Sequence, residues 1–155
     1  MKKLNFKPKI GSGDTGYTDI KSMKVKKTDK RIKFNAALDK INALIGLVRS
    51  FKKDKELFKI QQDILKISSF AAGYGEKKEI ENSIELLTLK IKSFPCAKIP
   101  KKFIVFGSNK KSALINLIRT EIRIAEIQAW EINKKEIAVY LNRLSDYLFL
   151  LSLKK

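Results

Sequence analysis

The sequence predicts an all-α protein, a five-helix bundle preceded by a glycine-containing N-terminal loop. Three observations carry that prediction. Apolar residues recur at i, i+3 and i+4 from Phe34 onward, the spacing of one helix face. Seven glycines and three prolines in 155 residues leave too few turn points for an all-β fold. Where these breakers do occur, they separate one apolar stripe from the next. The length suits a single domain with one core, divided into a loop segment 1–30 and a bundle 31–155.

Taken in order, residues 1–30 show no sustained period and hold the small-residue cluster Gly11-Ser12-Gly13-Asp14-Thr15-Gly16, which reads as a loop. Phe34, Ala37, Leu38, Ile41, Leu44, Ile45 and Val48 mark a first helix. Leu57, Ile60, Ile64, Ile67 and Ala71 mark a second, ended by Gly73 and Gly75. Ile80, Ile84, Leu87, Ile91 and Phe94 mark a third, closed by Pro95, and a loop with Pro100 and Gly107 follows to Ser108. Ser108 or Asn109 caps a fourth helix running to about Ile132. Asn133 with Glu136 reads as a capping box for a fifth. The fourth and fifth helices are apolar on more than one face, which points to burial on several sides and to an oligomer interface.

Composition narrows the chemistry. Apolar residues make up 44% and charged ones 32%, a globular balance. With no histidine, the chain lacks the usual metal ligand and the usual general base. A single Cys96 excludes an internal disulfide framework and a Cys-rich zinc site, so no metal ligands are assigned. The N-terminus lacks the apolar stretch of a signal peptide, and no run of about 18 apolar residues would span a membrane, so a cytoplasmic location is expected. Thirty-four basic against 16 acidic residues give a formal charge of +18. Most of the basic residues are Lys spread along the chain rather than Arg, which fits a solvated surface better than a dedicated nucleic-acid groove.

Three groups could carry chemistry. Arg119, Arg123 and Glu126 share one face of the fourth helix amid isoleucines, where partly buried charges require partners. Asp39, between Leu38 and Ile41, reads as one such partner. The run Asn142-Arg143-Leu144-Ser145-Asp146, between Tyr140 and Phe149, puts Asn142 and Asp146 on one i, i+4 face of the fifth helix. The glycines at 13 and 16 could present backbone N–H groups to a phosphate, although no G-K-[ST] closes the loop and a plain turn is the simpler meaning.

Together these segments resemble the PduO-type ATP:cobalamin adenosyltransferases over nearly the whole chain. The family's T-K-x-G-D-x-G-x-T loop is similar to Ile10-Gly11-Ser12-Gly13-Asp14-Thr15-Gly16-Tyr17-Thr18, and its Y-G-T-V-D-E-L-N helix to Asn35 through Asn42, followed by Ile45-Gly46. F-I-L-P-G-G resembles Phe103 through Ser108, and R-T-x-x-R-R-A-E resembles Arg119 through Glu126. Y-L-N-R-L-S-D-x-L-F agrees with Tyr140 through Phe149 at every specified position.

The resemblance implies a trimer of five-helix bundles with ATP bound between subunits, in which cob(I)alamin attacks the 5′ carbon of ATP and expels triphosphate. It implies Mg²⁺ with the nucleotide; composition and charge make a membrane or nucleic acid an unexpected partner. By family position Asp39 and Arg119 pair on the corrinoid side, Arg123 acts with them, and Phe103 forms the apolar wall below the cobalt. Ser12, Gly13, Asp14, Gly16, Lys27, Arg123, Glu126 and Asn142 would hold ATP. The chain departs from the family at Gly11, where a phosphate-reaching lysine stands, at Lys33 and Lys40 in place of glutamates, at Ile124 for arginine and at Phe106 for proline. Ser22 and Lys24 occupy a shortened G-x-R-V segment. Beside the enzyme reading stand two others: a relative that binds nucleotide or corrinoid without turnover, and a basic helical nucleic-acid-binding protein.

Overall fold

A computed structural model describes residues 7–95, 103–107 and 109–153. Cys96, Pro100 and Ser108 lie outside the described residues. A short antiparallel hairpin, β1 (Tyr17–Ile20) and β2 (Met23–Lys26), precedes five helices: α1 (Lys30–Phe51), α2 (Lys55–Ala71), α3 (Lys77–Lys92), α4 (Lys110–Glu131) and α5 (Lys135–Ser152). Around the core the helices adjoin in the order α1, α2, α3, α5, α4, and α4 closes the ring against α1.

Side chains supply most of the helix starts. Asp29 accepts the Arg31 N–H at 2.8 Å, Asp54 accepts the N–H groups of Glu56 and Leu57 at 3.0 Å, and Asn109 accepts that of Ser112 at 2.8 Å. The apolar stripes read from the sequence meet inside the ring. Phe34, Leu38, Ile41 and Ile45 of α1 pack with Leu57, Ile64 and Ile67 of α2 and with Ile115, Ile118 and Ile122 of α4. One polar knot lies within this core. Asp63 is buried, accepts the Ser83 hydroxyl at 3.3 Å and the Tyr140 hydroxyl at 3.4 Å, and faces the Lys59 ammonium at 3.4 Å. Burial first, and then the Asp63 charge, holds the Tyr140 phenol well above its ordinary pKa.

Two expectations need correction. The segment read as loop contains the hairpin, paired in register from Tyr17 with Lys26 to Ile20 with Met23. Its turn residues Lys21 and Ser22 both have positive φ, 42° and 66°, as a tight two-residue hairpin turn demands. Glycine, asparagine or aspartate normally signals such a turn, and none is present here. The capping box at Asn133 and Glu136 does not form. Asn133 adopts φ 56° and its N–H donates to the Trp130 carbonyl at 3.0 Å, so it terminates α4 rather than opening α5. Glu136 is drawn instead to Lys77 of α3 at 2.7 Å.

The multi-sided apolarity of the last two helices resolves differently in each. α5 is buried within the chain, between α3 and α4. α4 buries one face, but Leu117, Ile124, Ile127 and Trp130 stand exposed on the other. On neighbouring α1, Leu47 and Phe51 are also exposed. Among the described residues no helix is long and apolar enough to cross a membrane.

Candidate functional site

The glycine loop is a chain of tight turns. The N–H groups of Ser12, Asp14 and Gly16 donate to the carbonyls of Lys9, Gly11 and Gly13 at 3.1, 3.2 and 3.1 Å. The Lys27 N–H then donates to the Gly16 carbonyl at 2.8 Å, tying the loop to the far end of the hairpin. This register folds Lys27 back over the loop, so close to Gly13 that a Cβ there would stand 2.7 Å from Lys27 Nζ. Gly13 has φ 92°, a conformation costly for any L-residue. Ser12, Gly13, Thr15, Tyr17, Thr18, Asp19, Lys24 and Lys27 enclose a polar cavity of about 340 Å³. Lys24 Nζ lies 5.5 Å from the Tyr17 ring centre at its edge. Three loop N–H groups are thus spent on turns, and two lysines line the cavity.

A second group of residues lies on α4, α5 and the segment 103–107. Arg119 is half-buried, and its Nε donates to Asn116 Oδ1 at 2.9 Å. Its guanidinium carbon lies 5.6 Å from the Phe106 ring centre and 6.0 Å from that of Phe149. Burial first, and then the neighbouring Arg123 charge, lowers the Arg119 pKa from its usual value. Arg123, one turn on, is exposed. Glu126, a further turn along, accepts a long hydrogen bond from Asn142 Nδ2 of α5 at 3.5 Å. The Ser145 hydroxyl donates back to the Asn142 carbonyl at 2.9 Å, so local back-bonding accounts for part of the polar run in α5. Phe103 is fully exposed on its segment.

One expectation about this group fails. Asp39 is exposed rather than set among the apolar residues, because one residue past buried Leu38 is a rotation of about 100° away from the core. Arg119 accordingly has Asn116 and two rings as partners, and among the described residues no ion pair joins it to Asp39. Asp146 is exposed as well, while Asn142 is half-buried. The loop cavity and the α4 arginines are also lined by separate sets of residues.

Sequence reasoning missed two contacts. Lys40 Nζ pairs with Glu121 Oε1 at 2.6 Å, linking α1 to α4 across 81 positions. Lys40 is a charge reversal against the family pattern, and the acid two residues after Arg119 is the signal for its partner. The Phe106–Phe149 ring pair, 6.1 Å apart at 74°, had no local signal.

The structure is a five-helix bundle with a lysine-covered glycine loop ahead of α1 and two arginines on α4. A sequence model of the cobalamin adenosyltransferase family matches residues 9–155, and the chain belongs to that family. Among its relatives is a corrinoid adenosyltransferase of Bacillus subtilis, 30% identical over 156 residues, covering 89% of this chain and 80% of the relative. A corrinoid adenosyltransferase of Mycobacterium tuberculosis is 31% identical over 167 residues, covering 91% and 84%. The fold matches that of a PduO-type adenosyltransferase variant from Lactobacillus reuteri complexed with ATP, with a TM-score of 0.80 at 24% identity, covering 94% of this chain and 91% of that one. A second variant of that enzyme, complexed with cobalamin and ATP, gives a TM-score of 0.75 at 24% identity, covering 94% and 89%.

Proposed function

We propose that this chain is an ATP:cob(I)alamin adenosyltransferase acting as a homotrimer. The observation that carries the reading is the joining of Glu126 to Asn142 at 3.5 Å, beside Arg119 and Arg123, within a chain matched to the family from residue 9 to its end. In the reaction a cobalt–carbon bond forms as the reduced corrinoid attacks C5′ of ATP. The C5′–O bond breaks, and its electron pair leaves with triphosphate. The metal of the substrate is the nucleophile, so the absence of histidine is no handicap.

The work left to the protein is to orient C5′ and to offset charge on the leaving group. Lys27 and Lys24 over the loop cavity suit the triphosphate. Arg123, exposed in one chain, is free to receive charge from a ligand or from a neighbouring loop. Arg119 and Phe103 belong to the corrinoid side, with Asp39 presented toward a neighbour rather than to Arg119 of its own chain. Among the described residues no cluster of three acidic or sulfur ligands could hold a metal by itself. A Mg²⁺ carried on triphosphate needs only one or two protein carboxylates, and Asp14 and Asp19 at the loop are of that kind.

The trimer is supported by two observations. The apolar outer face of α4 is exposed, and no residue of α4 lines the loop cavity of its own chain, so a second subunit would both cover the face and bring arginines to the loop. Pre-reduced cobalamin with Mg-ATP should yield a light-sensitive alkylcobalamin absorption spectrum, and Arg123→Ala should abolish it. Binding of ATP or cobalamin by folded protein without turnover would assign the chain to the non-catalytic reading.

A further inference from the structure

Arg119 is an unusual cation in this chain. Most of the lysines are solvated, whereas its guanidinium is half-buried and has its pKa lowered by that burial. Water lost on burial must be replaced by something that favours positive charge. Asn116 supplies one acceptor, at Nε. Among the described residues no protein acceptor meets the two terminal nitrogens. What faces the guanidinium instead is a pair of rings, Phe106 at 5.6 Å and Phe149 at 6.0 Å, standing edge to face at 74°. Two rings at that angle make a corner, and a planar cation within reach of both is held in orientation as well as in place.

The two rings come from different parts of the chain. Phe149 lies on α5, a rigid helix, whereas Phe106 lies on the segment 103–107 that leads into α4. Phe106 is half-buried, and the alternate residues Phe103 and Val105 are exposed. Ile104 is half-buried too, so the contact of Phe106 with Phe149 and Arg119 is one of two points at which this segment meets the bundle. A proline at this position could offer no ring to the cation. The geometry points to Phe106 as a positioning residue: with Phe149 it seats the Arg119 guanidinium, leaves the two terminal nitrogens free for a ligand, and fixes the segment that carries Phe103. The catalytic consequence rests on the adenosyltransferase reading above; the placement of Arg119 does not.

Two measurements on the full chain separate these parts. In protein labelled with ¹³C-arginine, ring currents should shift the Arg119 side-chain protons upfield, and Phe106→Leu should return them most of the way to free-arginine positions while Phe106→Tyr preserves the shift. In adenosylation assays Phe106→Leu should lower kcat with corrinoid about three- to thirty-fold, the span of a cation–π contact, with the KM for ATP unchanged. Phe106→Tyr should restore the rate. In an Arg119→Lys background, Phe106→Leu should cost less than it does alone, because both act through one contact. Unchanged Arg119 proton shifts in Phe106→Leu, or losses that add fully with Arg119→Lys, would overturn the assignment. A wild-type protein that does not adenosylate corrinoid defeats the functional reading instead, and the proton shifts then decide the seat of Arg119 on their own.

Discussion

Substituting Gly13 by alanine tests the loop at its tightest point. Two costs arise, and the structure separates them. The first is conformational: φ 92° is unfavourable for an L-residue by about 1–2 kcal/mol. The second is steric: the new Cβ would stand 2.7 Å from Nζ and 2.9 Å from Cε of Lys27. Those atoms are the far end of a flexible side chain, so Lys27 swings away and the backbone holds. What is lost is the ammonium over the cavity. A hydrogen bond to a charged group is worth roughly 1.5–3 kcal/mol, or about ten- to a hundred-fold in affinity for a triphosphate. Gly16→Ala is the matching control, since φ there is 77° and nothing lies within 4 Å of the new Cβ. Both variants bear comparable strain, and only the first displaces Lys27. Calorimetric titration with Mg-ATP should show Gly13→Ala weaker than Gly16→Ala by about ten-fold or more, with similar melting temperatures. In a Lys27→Ala background the two should bind alike. Equal ATP affinity of Gly13→Ala and Gly16→Ala in the otherwise wild-type chain would refute the role given to Lys27.

Two further predictions follow from other parts of the fold. Burial, and then the Glu56 charge and hydrogen bond, raise the Tyr147 phenol to about 12. A raised acid keeps its proton longer when folded, so its contribution to stability is full below the unfolded value of about 10 and is lost as pH climbs toward about 12. Denaturant titrations should show an alkaline loss of stability over that window that is smaller in Tyr147→Phe; an identical loss in the variant would exclude Tyr147 as its source. On the outer face of α4, Ile127→Glu sets a charge on exposed apolar surface, which a monomer tolerates and a buried interface does not. Light scattering should report a trimer for the wild type and smaller species for Ile127→Glu with unchanged helicity; a monomeric wild type at micromolar concentration would remove the inter-subunit site.

The helices were legible because each buries a stripe whose spacing is set by helix geometry, and the start of α4 because Asn109 caps in the way its side chain favours. The hairpin was not legible. Its turn rests on Lys21 and Ser22 in positive φ, a conformation stabilised by strand pairing rather than by local preference. Asn133 was misread because asparagine serves equally as an N-cap and as the left-handed residue after a helix, and only the distant Lys77 decides where Glu136 goes. In the site, the spacing of Arg119, Arg123 and Glu126 was visible, and so was Asn142. The position of Asp39 was not, since one step along a helix moves a side chain from core to solvent. Contacts such as Lys40 with Glu121 and Arg119 with Phe106 join segments whose meeting is a property of packing, which no local pattern records.

Four of the departures from the family pattern have counterparts in the structure, and these bear on whether the site is retained or decayed. Lys40 reverses a charge, yet Glu121 lies 2.6 Å away to receive it. Phe106 replaces a proline and in doing so gives the half-buried Arg119 an aromatic neighbour. Ile124 replaces an arginine on the exposed side of α4, where it extends the apolar face formed with Leu117 and Ile127. Gly11 removes a lysine at a position whose φ is 79°, a conformation that would strain one, while Lys24 and Lys27 of the hairpin already line the cavity. Random loss would leave unpaired charges and cavities around the altered positions. Here Arg119, Arg123, Glu126 and Asn142 remain, and the changes at Gly11, Lys40, Phe106 and Ile124 are accommodated by a residue of the same chain or by an apolar face that another copy can cover. Lys33, by contrast, is exposed and pairs with no acid among the described residues. That pattern is a site repacked around its charged residues, and it favours an active enzyme over a relative that has lost the reaction.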